Sequence, residues 1–156
     1  MPDSIPMTPQ GHEALSNELR RLKTVERPDN IRAIEEARAH GDLSENAEYH
    51  AAKERQGMLD ARIRDLEYKL GAAQIIDPNN APKDKVVFGV TVLLENLDTE
   101  EEVTYQILGP EESDVKNGKI SVTSPLGKAL LGKKPDDEIT VVTPSGLKRF
   151  CVVDIL

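Results

Sequence analysis

The segment 40–49 contains three acidic residues, and the first two of them, Asp42 and Glu45, stand three positions apart. Carboxylates at this spacing have two chemical uses: they can be ligands of a divalent cation, or they can accept hydrogen bonds from the free amides that begin a helix. The pattern Asp-x-x-Glu resembles a capping box, so the spacing by itself favours the second use. Neither use involves packing in a core, and we expect the pair to be exposed to solvent.

The other titratable residues near this pair are weaker candidates for metal ligands. Glu48 follows Glu45 by three residues and is typical of a solvated helix surface. His40 and His50 flank the acidic segment, but the sequence supplies no fixed third or fourth ligand. An ordinary position on the surface or in the seam is therefore favoured over a metal site for both histidines.

Two heptad-like patterns flank the acidic segment and predict that it is the tip of a helical hairpin. Apolar residues recur in steps of 4 and 3 on both sides, which is the spacing of a coiled-coil seam. A chain that folds back at Gly41 places Leu22 against Leu66. The same register places Leu19 against Leu70. The two patterns consist of Leu15, Leu19 and Leu22 before the tip, and of Leu59, Ile63, Leu66, Leu70 and Ala73 after it.

Proline positions refine the predicted helices. Thr8 is a suitable cap and the proline after it a suitable first residue, so the first helix is predicted at about 9–26. Pro28 predicts a kink or short break at 27–28, because proline lacks the amide hydrogen and its ring clashes with the preceding turn. The second helix is predicted from about Ser44 to Gln74, a range without proline. Beyond the break, the apolar stripe is predicted to resume at Ile31, Ile34 and Ala37.

The remainder of the chain has the pattern of a small β-rich domain. Residues 78–84 contain two prolines and several turn-forming side chains, so they are predicted to link a hairpin domain at 1–77 to a second domain at 85–156. The predicted fold class is α+β: an antiparallel coiled-coil hairpin followed by a small antiparallel β-sheet with one short helix. The predicted elements are antiparallel strands at 86–94 and 102–108, a short strand at 119–123, a helix from Ser124 through Leu131, and a terminal hairpin of strands at 138–142 and 147–155.

The charge and the cysteine count exclude several classes of protein. The net charge is −8: residues 1–78 contain 11 Lys and Arg against 15 Asp and Glu, and residues 79–156 contain 9 against 13. Neither half has the broad basic surface of an independent, sequence-specific DNA-binding domain, so a protein partner is favoured. Cys151 is the single cysteine, which excludes an internal disulfide and a cysteine-rich zinc site and favours a reducing compartment.

The sequence also lacks the patterns that direct a protein to a membrane. Its first residues have neither a charged start nor an apolar run, and no stretch approaches the roughly 20 apolar residues that cross a bilayer. We therefore expect no membrane association and a cytoplasmic location.

Three segments of the sequence resemble the bacterial GreA-type transcription elongation factors of the GreA/GreB family. They are the tip sequence Gly-Asp-Leu-Ser-Glu-Asn-Ala-Glu-Tyr-His at 41–50, the sequence Ile-Pro-Met-Thr at 5–8, and the segment 124–132, which starts with Ser-Pro. The resemblance covers nearly the whole chain, because tip, hairpin, linker and β-rich end follow one another in the order expected of that family.

The resemblance implies that the coiled coil enters the secondary channel of RNA polymerase. It implies that Asp42 and Glu45 reach the polymerase active site, share a Mg²⁺ ion with it, and stimulate cleavage of the backtracked RNA 3′ end so that arrested complexes resume elongation. Two carboxylates are too few ligands for a closed site, so the isolated protein is expected to bind no metal tightly and to be no enzyme itself. This resemblance reverses the preference for a purely capping role.

The resemblance also implies contacts for residues outside the acidic pair. Arg38 and Lys53 are expected to form a small basic patch against the displaced RNA, which fits GreA better than the more basic GreB. The β-rich domain resembles the FKBP-like fold and is expected to dock on the rim of the channel. The expected docking residues are Ser124, Pro125 and Leu126.

Two alternatives remain open from the sequence. A regulator of the same architecture can occupy the channel without activating cleavage, although the presence of Asp42 and Glu45 favours cleavage. An FKBP-like domain can also be a prolyl isomerase, but the pockets of such enzymes are usually lined with aromatic residues. This half of the chain offers only Phe88, Tyr105 and Phe150, for which core positions are a sufficient explanation.

Overall fold

The computed structural model describes residues 4–42 and 45–156. Contacts among them divide the chain into two compact units: residues 12–73 form the first, and residues 4–11 together with 74–156 form the second. The short N-terminal segment thus belongs to the β-rich unit. Independent folding of the ranges 1–77 and 85–156 stays a prediction. In the described part of the chain, no helix is long and apolar enough to cross a membrane.

The first unit is a helical hairpin. Its first arm contains three consecutive helical segments, and its second arm is one long helix. The segments are α1 at Pro9–Arg21, a π-helix at Leu22–Glu26, α2 at Arg27–Arg38 and α3 at Ala47–Gly71. The first three residues of α1 belong to the second unit.

The π-helix replaces the break that the sequence predicted at residues 27–28. The helical path continues through Pro28, which lies in the first turn of α2, so the predicted position of the irregularity is wrong. A proline at position 28 cannot donate a hydrogen bond, and its ring conflicts with the carbonyl of Thr24 in a regular α-helix. The wider turn relieves this conflict one turn earlier, where the Arg27 amide donates to the Leu22 carbonyl five residues back.

The buried face of α2 differs from the predicted stripe at one position. Ile34 and Ala37 are buried as predicted, but Ile31 is 45% exposed and Asn30 is only 3% exposed. The Asn30 side chain donates a hydrogen bond of 2.9 Å to the carbonyl of Ala52 on α3, so this buried amide is satisfied. A polar residue between the arms favours a single register of the hairpin.

Ion pairs between the two arms show the antiparallel register. Arg62 holds both carboxylate oxygens of Glu18, at 2.9 and 3.0 Å. The Nζ atom of Lys23 lies 2.7 Å from Oε1 of Glu67. The hydrogen bond from Lys23 and its positive charge lower the pKa of the Glu67 carboxyl. These two residues directly follow Leu22 and Leu66 in sequence, so their pairing agrees with the register that the heptads predicted.

The second unit contains a two-stranded and a five-stranded sheet. In the small sheet, β1 pairs with β2, and in the large one the strand order is β5-β4-β3-β7-β6. A single short helix, α4, accompanies the large sheet. The bounds are β1 Ile5–Met7, β2 Ala73–Ile75, β3 Thr91–Asn96, β4 Glu102–Leu108, β5 Lys119–Ser121, α4 Pro125–Leu130, β6 Glu138–Thr143 and β7 Gly146–Ile155.

Most predicted pairings in the second unit are confirmed. β3 pairs antiparallel with β4, and β6 forms the terminal hairpin with β7. The sheet is not wholly antiparallel, however, because β5 runs parallel to β4. The connection 109–118, which contains two short 3-10 turns, folds back so that β5 begins beside Gln106 and runs along the last three residues of β4.

The first predicted strand begins later than expected. Residues 86–90 are not part of the sheet, because Gly89 has a φ of +91° and interrupts the extended backbone. Val86 instead exchanges hydrogen bonds with the backbone of residues 132–133. Val86 and Val90 are nevertheless buried in the core of this unit.

Two glycine substitutions are expected to change stability in opposite directions. A Cβ at Gly127 in α4 would overlap the backbone carbonyl of Ser121, so Gly127→Ala should lower the free energy of unfolding by about 1–3 kcal/mol. A Cβ at Gly57 in the middle of α3 meets nothing within 4 Å, so Gly57→Ala should raise it by about 0.5–1 kcal/mol. Urea denaturation followed by circular dichroism measures both changes. A parental midpoint for Gly127→Ala would contradict the close approach described here.

Candidate functional site

The tip of the hairpin lies between the end of α2 and the start of α3. The amide of His40 donates to the carbonyl of Ala37, and the amide of Gly41 donates to that of Arg38. Gly41 has a φ of +113°, a backbone conformation that residues other than glycine rarely adopt. The predicted reversal at Gly41 is therefore confirmed.

Asn46 joins the two helices at the base of this tip. Its side-chain oxygen accepts a hydrogen bond of 3.0 Å from the Tyr49 amide, which makes Asn46 the N-cap of α3. Its side-chain nitrogen donates a hydrogen bond of 2.6 Å to the carbonyl of Ala37 in the last turn of α2. One amide side chain therefore satisfies a free donor of one helix and a carbonyl of the other.

The cap formed by Asn46 bears on the capping interpretation of the acidic pair. Neither Asp42 nor Glu45 occupies the N-cap position of α3, so a capping box formed by this pair does not begin that helix. The predicted helix start at Ser44 lies outside the described residues. The described helix begins at Ala47.

Asp42 and Glu45 are both exposed and lie at the same end of the hairpin. They line one open depression of about 450 Å³ together with His40, Asn46, Ala47 and Glu48. Among residues 4–42 and 45–156, no group of three or more His, Cys, Asp or Glu side chains is arranged to hold a metal ion. The arrangement suits carboxylates that contribute ligands to a site completed by another molecule.

The two basic residues predicted to contact RNA lie on different arms of the hairpin near the tip. Arg38 is in the last turn of α2, and its guanidinium carbon lies 5.9 Å from the ring centroid of Tyr49. This distance is that of a cation–π contact, which restricts the guanidinium group without neutralising it. Lys53 is exposed on α3, and its ammonium group donates to Gln56 at 2.8 Å.

Sequence reasoning missed two residues of the tip, Asn46 and Tyr49. Asn46 had a detectable signal, because asparagine is among the best N-cap residues and ten residues without glycine or proline follow it. Tyr49 had no such signal. Its contact with Arg38 depends on the way the two helices meet, whereas the ring of His50, 5.7 Å away, belongs to the next residue of the same helix.

The predicted docking residues lie at the start of α4 in the second unit. Ser124 is the N-cap: its hydroxyl accepts from the Gly127 amide at 3.0 Å and donates to the Ser121 carbonyl at 2.6 Å. Pro125 is exposed, whereas Leu126 is half-buried and packs against the core. Of the three predicted residues, Pro125 offers the most accessible side chain.

The aromatic residues of the second unit have packing positions. Phe150 belongs to the core, Tyr105 packs against it, and Phe88 is buried. The strand-core positions that the sequence favoured are confirmed for Tyr105 and Phe150, whereas Phe88 is buried but lies before the first strand of the large sheet.

Two family models match the chain in succession. The model described as "Transcription elongation factor, N-terminal" matches residues 5–75, and the one described as "Transcription elongation factor, GreA/GreB, C-term" matches residues 81–156. Together they cover both described units.

Curated relatives match over almost the full length. The chain is 59% identical to transcription elongation factor GreA of Psychrobacter sp. (strain PRwf-1) over 97% of this chain and 96% of the relative. It is 58% identical to GreA of Desulfotalea psychrophila over 99% of this chain and 96% of the relative. Among solved structures, GreA factor homolog 1 of Thermus thermophilus is 30% identical, with coverage of 98% of this chain and 99% of that chain and a TM-score of 0.46.

Proposed function

Because the chain belongs to the GreA/GreB family of transcription elongation factors, we propose that its helical hairpin enters the secondary channel of RNA polymerase and stimulates cleavage of the backtracked RNA 3′ end. The protein is a transcription elongation factor and acts through RNA polymerase. Cleavage of the backtracked RNA would allow an arrested polymerase to resume elongation. The protein contributes side chains to the polymerase's own reaction and is not itself a nuclease.

The exposure of Asp42 and Glu45 at the end of the hairpin is the observation that carries this proposal. Asn46 caps α3, so the start of that helix does not require either carboxylate as its cap. The two carboxylates would contribute ligands for a Mg²⁺ ion whose other ligands come from the polymerase and the RNA. Bound there, the ion would supply charge stabilisation and an activated water for phosphodiester hydrolysis.

The basic residues of the tip suit contact with the displaced RNA. Arg38 and Lys53 place one cation on each arm of the hairpin, behind the acidic pair. The contact of Arg38 with Tyr49 keeps its guanidinium group close to the helix surface. Two cations give a modest attraction to phosphate that weakens with salt, so RNA binding depends on prior entry into the channel.

The second unit supplies affinity for the rim of the channel in this proposal. Ser124, Pro125 and Leu126 form the start of α4, where Pro125 is exposed for contact and Ser124 fixes the backbone. Independent binding to a specific DNA sequence is not expected from a chain with a net charge of −8. The proposed location is the cytoplasm, where bacterial RNA polymerase works.

An RNA-cleavage assay tests the proposal directly. RNA polymerase is stalled in a backtracked complex with 3′-labelled RNA, and release of the labelled fragment is measured with and without the protein. We expect release to accelerate with the protein and no RNA cleavage by the protein alone. Binding to polymerase without acceleration would instead support the alternative, a channel-binding regulator that does not stimulate cleavage.

The contribution of the second unit can be measured by separating it from the hairpin. A peptide of residues 12–73, checked for helicity by circular dichroism, should stimulate cleavage only at concentrations well above those needed for the full chain. The reason is that linking two contacts can raise the overall affinity for the polymerase by factors of about 10²–10⁴ over that of either contact alone. Equal potency of the peptide and the full chain would show that the second unit adds no affinity.

A further inference from the structure

Asn46 closes the segment that carries both proposed ligands. Asp42 and Glu45 lie between Ala37 and Asn46, and the 2.6 Å hydrogen bond from the Asn46 side chain to the Ala37 carbonyl joins the two ends of that segment. The same side chain begins α3 by accepting from the Tyr49 amide. Its two hydrogen-bonding atoms thus connect the end of α2 to the start of α3.

We infer that Asn46 is a positioning residue for the proposed cleavage reaction, which it serves by holding together the two helix ends between which Asp42 and Glu45 are presented. This role rests on the proposed function, because it concerns how the two carboxylates are presented to the polymerase. A segment tied only at its covalent ends samples many conformations, and a contact that joins its ends removes part of that freedom. Ligands held in advance bind an ion without the entropic cost of ordering them.

The position of the hydrogen bond supports this role. Ala37 is buried, with 2% of its surface exposed, and Asn46 is half-buried. The bond is therefore shielded from competing water, which makes it stronger than a bond at an exposed surface. The Ala37 carbonyl also accepts from the His40 amide at 3.2 Å, so one carbonyl anchors both the beginning and the end of the tip segment.

The two hydrogen bonds of Asn46 can be separated by substitution. Serine and aspartate cap helices about as well as asparagine, so Asn46→Ser and Asn46→Asp should both keep the cap of α3. Neither keeps the bond to Ala37: the serine hydroxyl is too short, and an aspartate oxygen cannot donate to a carbonyl. Asn46→Asp adds a negative charge to the tip and Asn46→Ser does not, so a loss shared by both cannot result from charge. Asn17→Ser, on the exposed surface of α1, is the matched control.

The decisive experiment compares these variants as full-length proteins with the stalled polymerase. We expect Asn46→Ser and Asn46→Asp to reduce saturating cleavage stimulation at least tenfold and to raise the Mg²⁺ concentration for half-maximal stimulation. Competition with the parental protein for polymerase should change less than twofold, and Asn17→Ser should behave as the parent. Parental stimulation by Asn46→Ser would overturn the inference. An equal loss of binding and cleavage would also overturn it, because it would indicate a general structural role.

Hydrogen exchange on the free protein separates this inference from the proposed function. In Asn46→Ser, the amides of His40 and Gly41 should exchange faster than in the parent, while that of Ile63 in α3 should not change. Unchanged exchange at the tip would overturn the inference even if the parent stimulates cleavage. If tip exchange rises but the parent binds polymerase without stimulating cleavage, the proposed function fails, and the role of Asn46 in cleavage fails with it.

Discussion

Asp42→Asn and Glu45→Gln are each expected to reduce RNA-cleavage stimulation by about a hundredfold or more, because each removes a charged ligand from a site that depends on few of them. Both replacements keep the size and shape of the side chain. Both positions are exposed and neither caps α3, so the variants should unfold at the parental temperature. The measurement is the rate of 3′ fragment release at saturating protein and limiting Mg²⁺.

The control for charge alone is Glu48→Gln. Glu48 lines the same depression as the two proposed ligands but lies in the first turn of α3 and is typical of a solvated surface. This variant should stimulate cleavage within about twofold of the parent. The inactive variants should still compete with the parent for polymerase. Cleavage at the parental rate by Asp42→Asn would show that its charge is not needed and that the ligand role is wrong.

Leu66→Asp is expected to destabilise the hairpin by more than about 4 kcal/mol, since it replaces buried apolar surface with an unpaired charge. Leu66 is 0% exposed, and no other side chain of α3 is buried more completely. An isolated hairpin has little stability to lose, so the helical signal of the first unit should disappear at ordinary temperature. Thermal denaturation followed by circular dichroism at 222 nm measures the change.

Met58→Asp is the matched control for this substitution. It places the same charge on the same helix, but Met58 is 68% exposed. The new carboxylate would stand three residues after Arg55 and four before Arg62, where opposite charges on a helix attract. The free energy of unfolding should change by no more than about 0.5 kcal/mol. If Leu66→Asp and Met58→Asp unfold at the same temperature, Leu66 does not belong to the seam.

The sequence was sufficient to predict the hairpin because coiled-coil seams are local and periodic. Leu59, Ile63 and Leu66 are buried as the steps of 4 and 3 require. The burial of Asn30 in place of Ile31 was not predictable in this way. It depends on the π-helix before Pro28, and no hydrophobic pattern reports such a turn.

The tip shows a second limit of sequence reasoning. The acidic pair was visible from residue type and spacing, but the spacing also matched a capping box and by itself favoured that use. The choice depended on which residue begins α3, and helix ends are the least predictable part of an element. Asn46 makes one of its two bonds to a residue nine positions earlier, a contact that only the folded hairpin creates.

In the second unit, antiparallel hairpins were predictable and the parallel strand was not. A pair such as β6 and β7 is joined by a short turn that fixes its direction. β5 is a three-residue strand, too short to show any alternation, and its direction depends on the path of the connection before it. Local patterns do not determine that path.

The π-helix at Leu22–Glu26 also sets the direction in which the tip faces around the long axis of the hairpin. An α-helix turns by about 100° per residue, so one extra residue taken up in a wide turn rotates everything beyond it by about that angle. Without it, the steps of 4 and 3 from Leu22 would bring Asp29, Ala33 and Glu36 to the seam, and all three are exposed. A hairpin with the same tip sequence on an uninterrupted helix would therefore present Arg38 on a different side. The direction in which the tip faces is therefore set by a helical turn that lies more than ten residues before the tip.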